Sequence, residues 1–200
     1  MSKALYGDQS NIAYTWWQSL RPQHVDGGRI IPGDRAAIAR FKRASSVMDA
    51  AAEPATAKLF TDLFGEQYRQ SGSHPEFAGR HLPRAAVIAG VLAHVSDHQK
   101  HGTLARAIGP TDQKDPSSAR LKPLRFKRLL AARSPDEVLT QFRRAVAMLD
   151  RTVNVRDLAL QLLAWTDDER GDIARTRFAF DYYDAEKFAP LATANDTDKD

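Results

Sequence analysis

Residues 124–150 read LRFKRLLAARSPDEVLTQFRRAVAMLD. At about 100° per residue, Phe126, Leu129 and Leu130 share one helical face, while Arg125, Lys127 and Arg128 occupy the other. Ser134-Pro135 then opens a second helix. Proline is pre-set for the first helical position, and Asp136 and Glu137 follow in the first turn, where the helix dipole favours acids. Val138, Phe142, Ala145, Val146 and Leu149 line up as the apolar stripe of this second helix. Arg144 points away from that stripe and Arg143 lies at its boundary. Runs of β-branched residues in period-two alternation are missing, so the pattern predicts an all-α chain.

The same reading extends outward. Helices are expected at 9–20, 35–44, 54–70, 83–99, 104–108, 124–132, 136–150, 155–165 and 168–183. Asp34 is the expected N-cap of the second of these, and Pro22 stops the first. The stretch 110–123 is polar and holds Pro110, Pro116 and Pro123, so it reads as an exposed linker. The expected architecture is therefore a two-lobed helical bundle of about eight to nine helices. Residues 1–109 form the N-terminal lobe, 110–123 the linker and 124–185 the C-terminal lobe. Residues 186–200 have the composition of a disordered acidic tail.

Composition sets further bounds. The chain has 200 residues, 42% of them hydrophobic and 27% charged, which suits an ordinary globular core. It has no cysteine, which excludes disulfides, thiolate nucleophiles and cysteine-held zinc or iron–sulfur clusters. The longest apolar stretch, 85–93, is too short to span a bilayer, and residues 1–8 lack a signal-type apolar region. A cytoplasmic protein with no membrane attachment is expected. Net charge is +4. Residues 184–200 hold five acids and two bases, leaving 27 basic against 20 acidic side chains elsewhere, a net of +7 on the body. That balance favours a polyanionic partner.

The cations cluster. Arg120, Lys122, Arg125, Lys127, Arg128, Arg133, Arg143 and Arg144 fall within 25 residues, opposed there only by Asp136 and Glu137. Arginine dominates the group, and its planar fork binds phosphate bidentately and stacks on bases. In the helix at 35–44, Ala37, Ile38 and Phe41 make the apolar face, and Arg35, Arg40, Lys42 and Arg43 cover the rest. A solvated face laced with ion pairs is the alternative reading of each single arginine. Arg170, Arg175 and Arg177 either extend the basic surface or pair with Asp167, Asp168, Glu169 and Asp172.

Other chemistry is thinner. His94, His98 and His101 have i, i+4 spacing suited to a shared metal, but no glutamate follows the first histidine as a zinc-protease motif needs. They read as histidines at the core edge or surface, with no metal and no cofactor expected. Trp16, Trp17, Trp165, Tyr182 and Tyr183 read as core aromatics before base-stacking ones. Neither a phosphate-cradling glycine loop nor a serine-hydrolase elbow is present.

The segment Gly33-Asp34-Arg35-Ala36-Ala37-Ile38-Ala39-Arg40-Phe41-Lys42-Arg43-Ala44 resembles a signature near the N-terminus of the CasB family, the small subunit of the type I-E CRISPR surveillance complex, Cascade. The resemblance continues through Arg84 to Ala93 and Arg125 to Ala132, then Phe142-Arg143-Arg144-Ala145-Val146, Leu162-Leu163-Ala164-Trp165 and Tyr182-Tyr183. It spans about residues 10 to 184. The resemblance implies a non-enzymatic, all-α, two-lobed subunit that sits as a pair in a ribonucleoprotein. It further implies contact with guide RNA, target DNA, the displaced DNA strand, other Cascade subunits and a second copy of the chain. Carried over by position, the candidate nucleic-acid contacts are Arg35, Arg40, Lys42, Arg43, Arg120, Lys122, Arg125, Lys127, Arg128, Arg143 and Arg144. The acidic segment and the histidine spacing are not part of the family pattern. A stand-alone helical DNA-binding regulator, a histidine–metal enzyme and a structural adaptor remain the alternatives.

Overall fold

The computed structural model describes residues 2–24, 28–112 and 114–183. The acidic segment expected at 186–200 lies outside the described residues. Among those described, ten α-helices follow in chain order: α1 (Ser2–Ser19), α2 (Arg35–Arg43), α3 (Val47–Ala51), α4 (Pro54–Gln70), α5 (Pro75–Leu92), α6 (Leu104–Ile108), α7 (Pro123–Ala131), α8 (Pro135–Ala147), α9 (Val155–Trp165) and α10 (Gly171–Tyr183). The protein is an all-α bundle. Two short strand pairs accompany the helices. β1 (Gln23–His24) runs antiparallel to β2 (Ile30–Ile31), and β3 (Asp97–His98) runs parallel to β4 (Thr152–Val153).

The second half of α5 is the centre of the packing. Every residue from Ala85 to Leu92 is buried, as expected of a helix apolar on all sides. It packs against α3, α4, α8 and α9. Its small residues let α8 approach closely. A Cβ added at Gly90 would lie 2.8 Å from Leu139 Cδ1 and 3.1 Å from Arg143 Nη2, so both side-chain ends would have to shift to admit one. α1 lies along α9, and α10 packs on α6 and α9. Helices from both halves of the chain thus share one continuous hydrophobic core. The segment 110–123 is also tied in: Ala119 and Leu121 are buried, and Leu121 N donates to Ile108 O at 3.0 Å.

Several boundaries differ from the sequence expectation for local reasons. α5 starts at Pro75 and carries Pro83 inside it, not at its start. The carbonyl that Pro83 leaves unpaired belongs to the exposed Gly79, where water can serve it. α5 stops at Leu92 because the following chain turns and Ser96 N donates to Arg151 O at 2.8 Å, starting the β3–β4 pair. That carbonyl is presented by a turn in which Asp150 (φ 51°) and Arg151 (φ 63°) are both left-handed. The short α3 was not expected, although Ser46 and Asp49 form a capping box across its first turn. α10 begins at Gly171, since the Asp167 carboxylate accepts from Glu169 N and Arg170 N and holds the preceding residues in a turn.

One buried acid links two helices. The Asp157 carboxylate in α9 accepts from Leu104 N, the first residue of α6, at 2.7 Å. The residue keeps some exposed surface, but its carboxylate is enclosed, and burial pushes its pKa up to about 6, with Asp181 acting in the same direction. The folded state therefore holds a proton that the unfolded chain, near 3.9, has already lost. This contribution to stability is complete below about pH 4 and disappears as pH rises through 6. The variant Asp157→Asn keeps an acceptor for Leu104 and has no proton to lose. Between pH 4 and pH 7 the native protein should lose on the order of 2–3 kcal/mol relative to that variant. Urea unfolding of both proteins at the two pH values measures the difference, and parallel pH profiles would refute the assignment.

Candidate nucleic-acid interface

α2 begins where Asp34 caps it, its carboxylate accepting from Ala37 N at 2.7 Å. Ala37 and Phe41 are buried, and the Phe41 ring meets Trp16 edge-on at 6.0 Å. This anchoring turns Arg35, Lys42 and Arg43 to the exposed side. Arg40 is different: its Nε donates to Glu53 at 2.6 Å, which raises its affinity for the proton.

Arg143 faces inward. Its Nε donates to Gly90 O at 3.0 Å, Nη1 to Ala44 O at 2.7 Å and Nη2 to Phe41 O at 3.1 Å. The last two carbonyls lie at the C-terminal end of α2, where a cation meets both orphan acceptors and the negative end of the dipole. Burial lowers the Arg143 pKa below the ordinary arginine value, and among the described residues no carboxylate pairs with it. Its neighbour Arg144 is exposed.

α7 is anchored by Phe126. Tyr182 stacks on that ring at 3.6 Å with the planes 7° apart, and its hydroxyl donates to Leu121 O at 2.6 Å. With this face fixed, Arg125 and Arg128 turn towards α8. Together with Arg144, Leu121, Gln141 and Met148 they line a cleft of about 390 Å³. Among the described residues, no carboxylate oxygen comes within 4.0 Å of a side-chain nitrogen of Arg35, Lys42, Arg43, Arg120, Arg125, Lys127, Arg128 or Arg144. Lys122 Nζ donates to Ser117 O.

Other arginines are paired. Arg133 Nη2 lies 3.4 Å from Asp172, and its Nη1 donates to Leu130 O at 2.7 Å. Arg170 meets Asp167 and Glu169, and Arg175 meets Asp172. The ion-pair reading holds for these two, while Arg177 is exposed.

The CRISPR-associated protein Cse2 family matches residues 34–183, three-quarters of the chain. The chain belongs to the Cse2 family. Cse2 is the CasB subunit of type I-E Cascade, so the protein is a subunit of that CRISPR complex. No curated protein and no solved structure matches the chain.

The matched span contains all eleven candidate contacts, and a cation beyond the dense basic stretch, Arg151, acts on the same histidine as Lys42 and Arg143. His94 Nδ1 is 2.9 Å from Gly90 O, and burial beside Arg143 drives its pKa down to about 4, with Lys42 and Arg151 acting in the same direction. Lys42 and Arg151 therefore lie on the His94 side of the molecule. Arg151 follows Met148, which lines the basic cleft, by three residues. A charge count along the sequence misses it because Asp150 precedes it and no glycine marks the left-handed turn.

The histidine triplet is dispersed. His98 Nδ1 accepts from Val155 N at 3.2 Å and its ring lies 4.7 Å from Tyr14, while His101 is exposed. Among the described residues no three histidine or acidic side chains are placed to hold a metal. Trp16, Trp17, Trp165 and Tyr182 are in the core, and Tyr183 is partly exposed against Phe126. Also among the described residues, no helix is long and apolar enough to cross a membrane.

The two adjacent arginines of α8 should separate by experiment. Arg143→Met strands three carbonyls, and stability should fall by about 1–3 kcal/mol in urea unfolding. Arg144→Met should leave the unfolding midpoint unchanged. Equal effects would place the two side chains in equivalent surroundings, contrary to the contacts above.

Proposed function

We propose that this Cse2 protein is a non-catalytic subunit that holds nucleic-acid backbones without reading their sequence. Its targets in the assembled complex are the guide RNA–target DNA hybrid and the displaced DNA strand, with a second copy of the chain alongside. One observation carries this reading: Arg125, Arg128 and Arg144 converge on one cleft with no carboxylate of the described residues against them. A phosphate bound in that cleft would take bidentate hydrogen bonds from the guanidinium groups that line it. Lys42 and Arg151 beside His94, and Arg35 and Arg43 on α2, support a longer basic surface of the same kind.

The energetic demand on such a surface is small. Replacing a DNA duplex by a guide–target hybrid exchanges helices of similar stability, so modest phosphate contacts decide the balance. Contacts to phosphate fix position and carry no sequence information, which leaves recognition to guide pairing. Cytoplasmic location fits this role, as does the absence of cysteine.

Binding of the isolated protein to a fluorescent oligo-dT strand tests the reading. Affinity should fall between 50 and 200 mM salt, with a log–log slope of about −0.7 for each phosphate engaged. Arg125→Glu with Arg128→Glu should weaken binding and reduce that slope by about 1–2. Arg170→Glu, at an existing ion pair, serves as the control and should change neither. In the assembled complex the double variant should expose the displaced strand to permanganate. Salt-independent binding, or full strand protection with the double variant, would remove the basis for the proposal.

A further inference from the structure

The ring of Tyr14 in α1 is a meeting point for polar groups of two other elements. The Arg156 guanidinium of α9 lies over it at 3.7 Å, and the His98 ring of β3 meets it at 4.7 Å. Trp17 stacks against Tyr14 from the next turn of α1 at 5.9 Å and holds the ring in place. Arg156 is exposed, yet its direction is fixed twice: by this stacking, and by its Nε, which donates to Asn11 Oδ1 at 2.9 Å. Its two Nη groups have no hydrogen-bond partner among the described residues, and no carboxylate there comes within 4.0 Å of them. The rotamer freedom that an exposed arginine loses on binding a ligand is already spent here.

His98 is oriented as firmly. Its Nδ1 accepts from Val155 N at 3.2 Å, so the proton of the neutral ring sits on Nε2. Burial, followed by the charges of Arg156 and Lys100, holds the ring below the ordinary histidine pKa, so it is neutral at pH 7. Nε2 is then a donor. It has no partner among the described residues, and it reaches solvent. Lys100, also exposed, follows in the next loop. That loop is tied to the start of α9, where Asn154 Nδ2 donates to Lys100 O at 3.5 Å and to Gly102 O at 3.1 Å. The nearby acids turn elsewhere. Asp97 precedes His98 in β3 and so faces the opposite way, with its charge acting on Arg21. The Asp157 carboxylate is committed to Leu104 N.

Three kinds of donor therefore stand together with no acid of the described residues against them. A phosphate, with acceptor oxygens in several directions, suits such a set better than a planar carboxylate. Tyr14 covers one face of the Arg156 guanidinium, and the other is left for a base. Only an unpaired strand has bases free to stack in this way. We propose that Tyr14, His98, Lys100 and Arg156 form a second site, for a phosphate and adjoining base of single-stranded nucleic acid, separate from the α7–α8 cleft. The proposal rests on the functional reading above and extends it. Met148 on the cleft wall and Arg156 are eight residues apart, so their Cα atoms lie within about 29 Å of each other, with Arg151 between them in the chain. A single strand can occupy both sites.

The test uses the full chain and oligo-dT. Lys100→Gln with Arg156→Gln should weaken binding about eightfold at 50 mM salt and about threefold at 200 mM for one lost phosphate contact. The loss should be smaller for a duplex of the same length, and an equal loss would overturn the assignment to single strands. The His98 Hε1 proton signal of the native chain gives a readout that needs no variant. It should move on titration with oligo-dT, and move equally in Arg125→Glu with Arg128→Glu once binding is saturated. Oligo-dT binding with the His98 signal unmoved would overturn the second site and leave the functional reading intact. No binding of oligo-dT at all would overturn both. A larger response of His98 to poly-glutamate than to oligo-dT would make the site a dock for a protein carboxylate and also overturn the proposal.

Discussion

The guanidinium of Arg143 donates to carbonyls of α2 and α5 at once, and this contact governs where the other cations can lie. A buried arginine is costly unless its donors are met, so the groove between α2, α5 and α8 is specified closely. Gly90 admits the side chain because it has no Cβ, and the end of α2 supplies acceptors that its own helix cannot satisfy. With Arg143 seated, α2 and α8 cannot rotate independently. Arg144 is then forced outward, towards α7, and Lys42 is brought beside His94. One inward cation thus orders several outward ones.

The same logic operates at α7 through an aromatic contact. Tyr182 at the end of α10 stacks on Phe126 and bonds the carbonyl of Leu121, so the last described turn of the chain fixes the rotation of α7. Arg125 and Arg128 face the cleft for that reason. Positive charge at the surface is therefore organised by uncharged packing beneath it. This arrangement suits the proposed phosphate-binding role, since contacts to phosphate depend on the spacing of cations and not on base identity.

The resemblance read from Arg35 to Ala44, Arg125 to Ala132 and the later motifs matches the family found over residues 34–183. Such motifs were legible because they join a charged face to an apolar stripe at fixed spacing. The three arginines of the cleft were legible as candidates by the same pattern. Their convergence was not, since Arg125 and Arg144 lie on separate helices. Arg40 and Arg143 looked equivalent to their neighbours in sequence, and the structure turns the first to Glu53 and the second to three carbonyls. Arg151, whose charge acts on His94, was not among the candidates, because a left-handed turn without glycine leaves no mark in composition.

Helix-period stripes and caps such as Asp34 and Ser134 are local features, set by neighbours within a turn or two, and the sequence alone determined them. It likewise determined the excess of arginine over acid and the all-α class. Tertiary structure alone decided which cations stay free. A side chain at the edge of a helical stripe can turn either way at little local cost, and its direction is settled by a carbonyl or carboxylate about a hundred residues distant, as Phe41 and Ala44 settle it for Arg143. Tertiary structure also carried Pro83 through the middle of α5, because burial of Ala85 to Leu92 outweighs one lost backbone hydrogen bond.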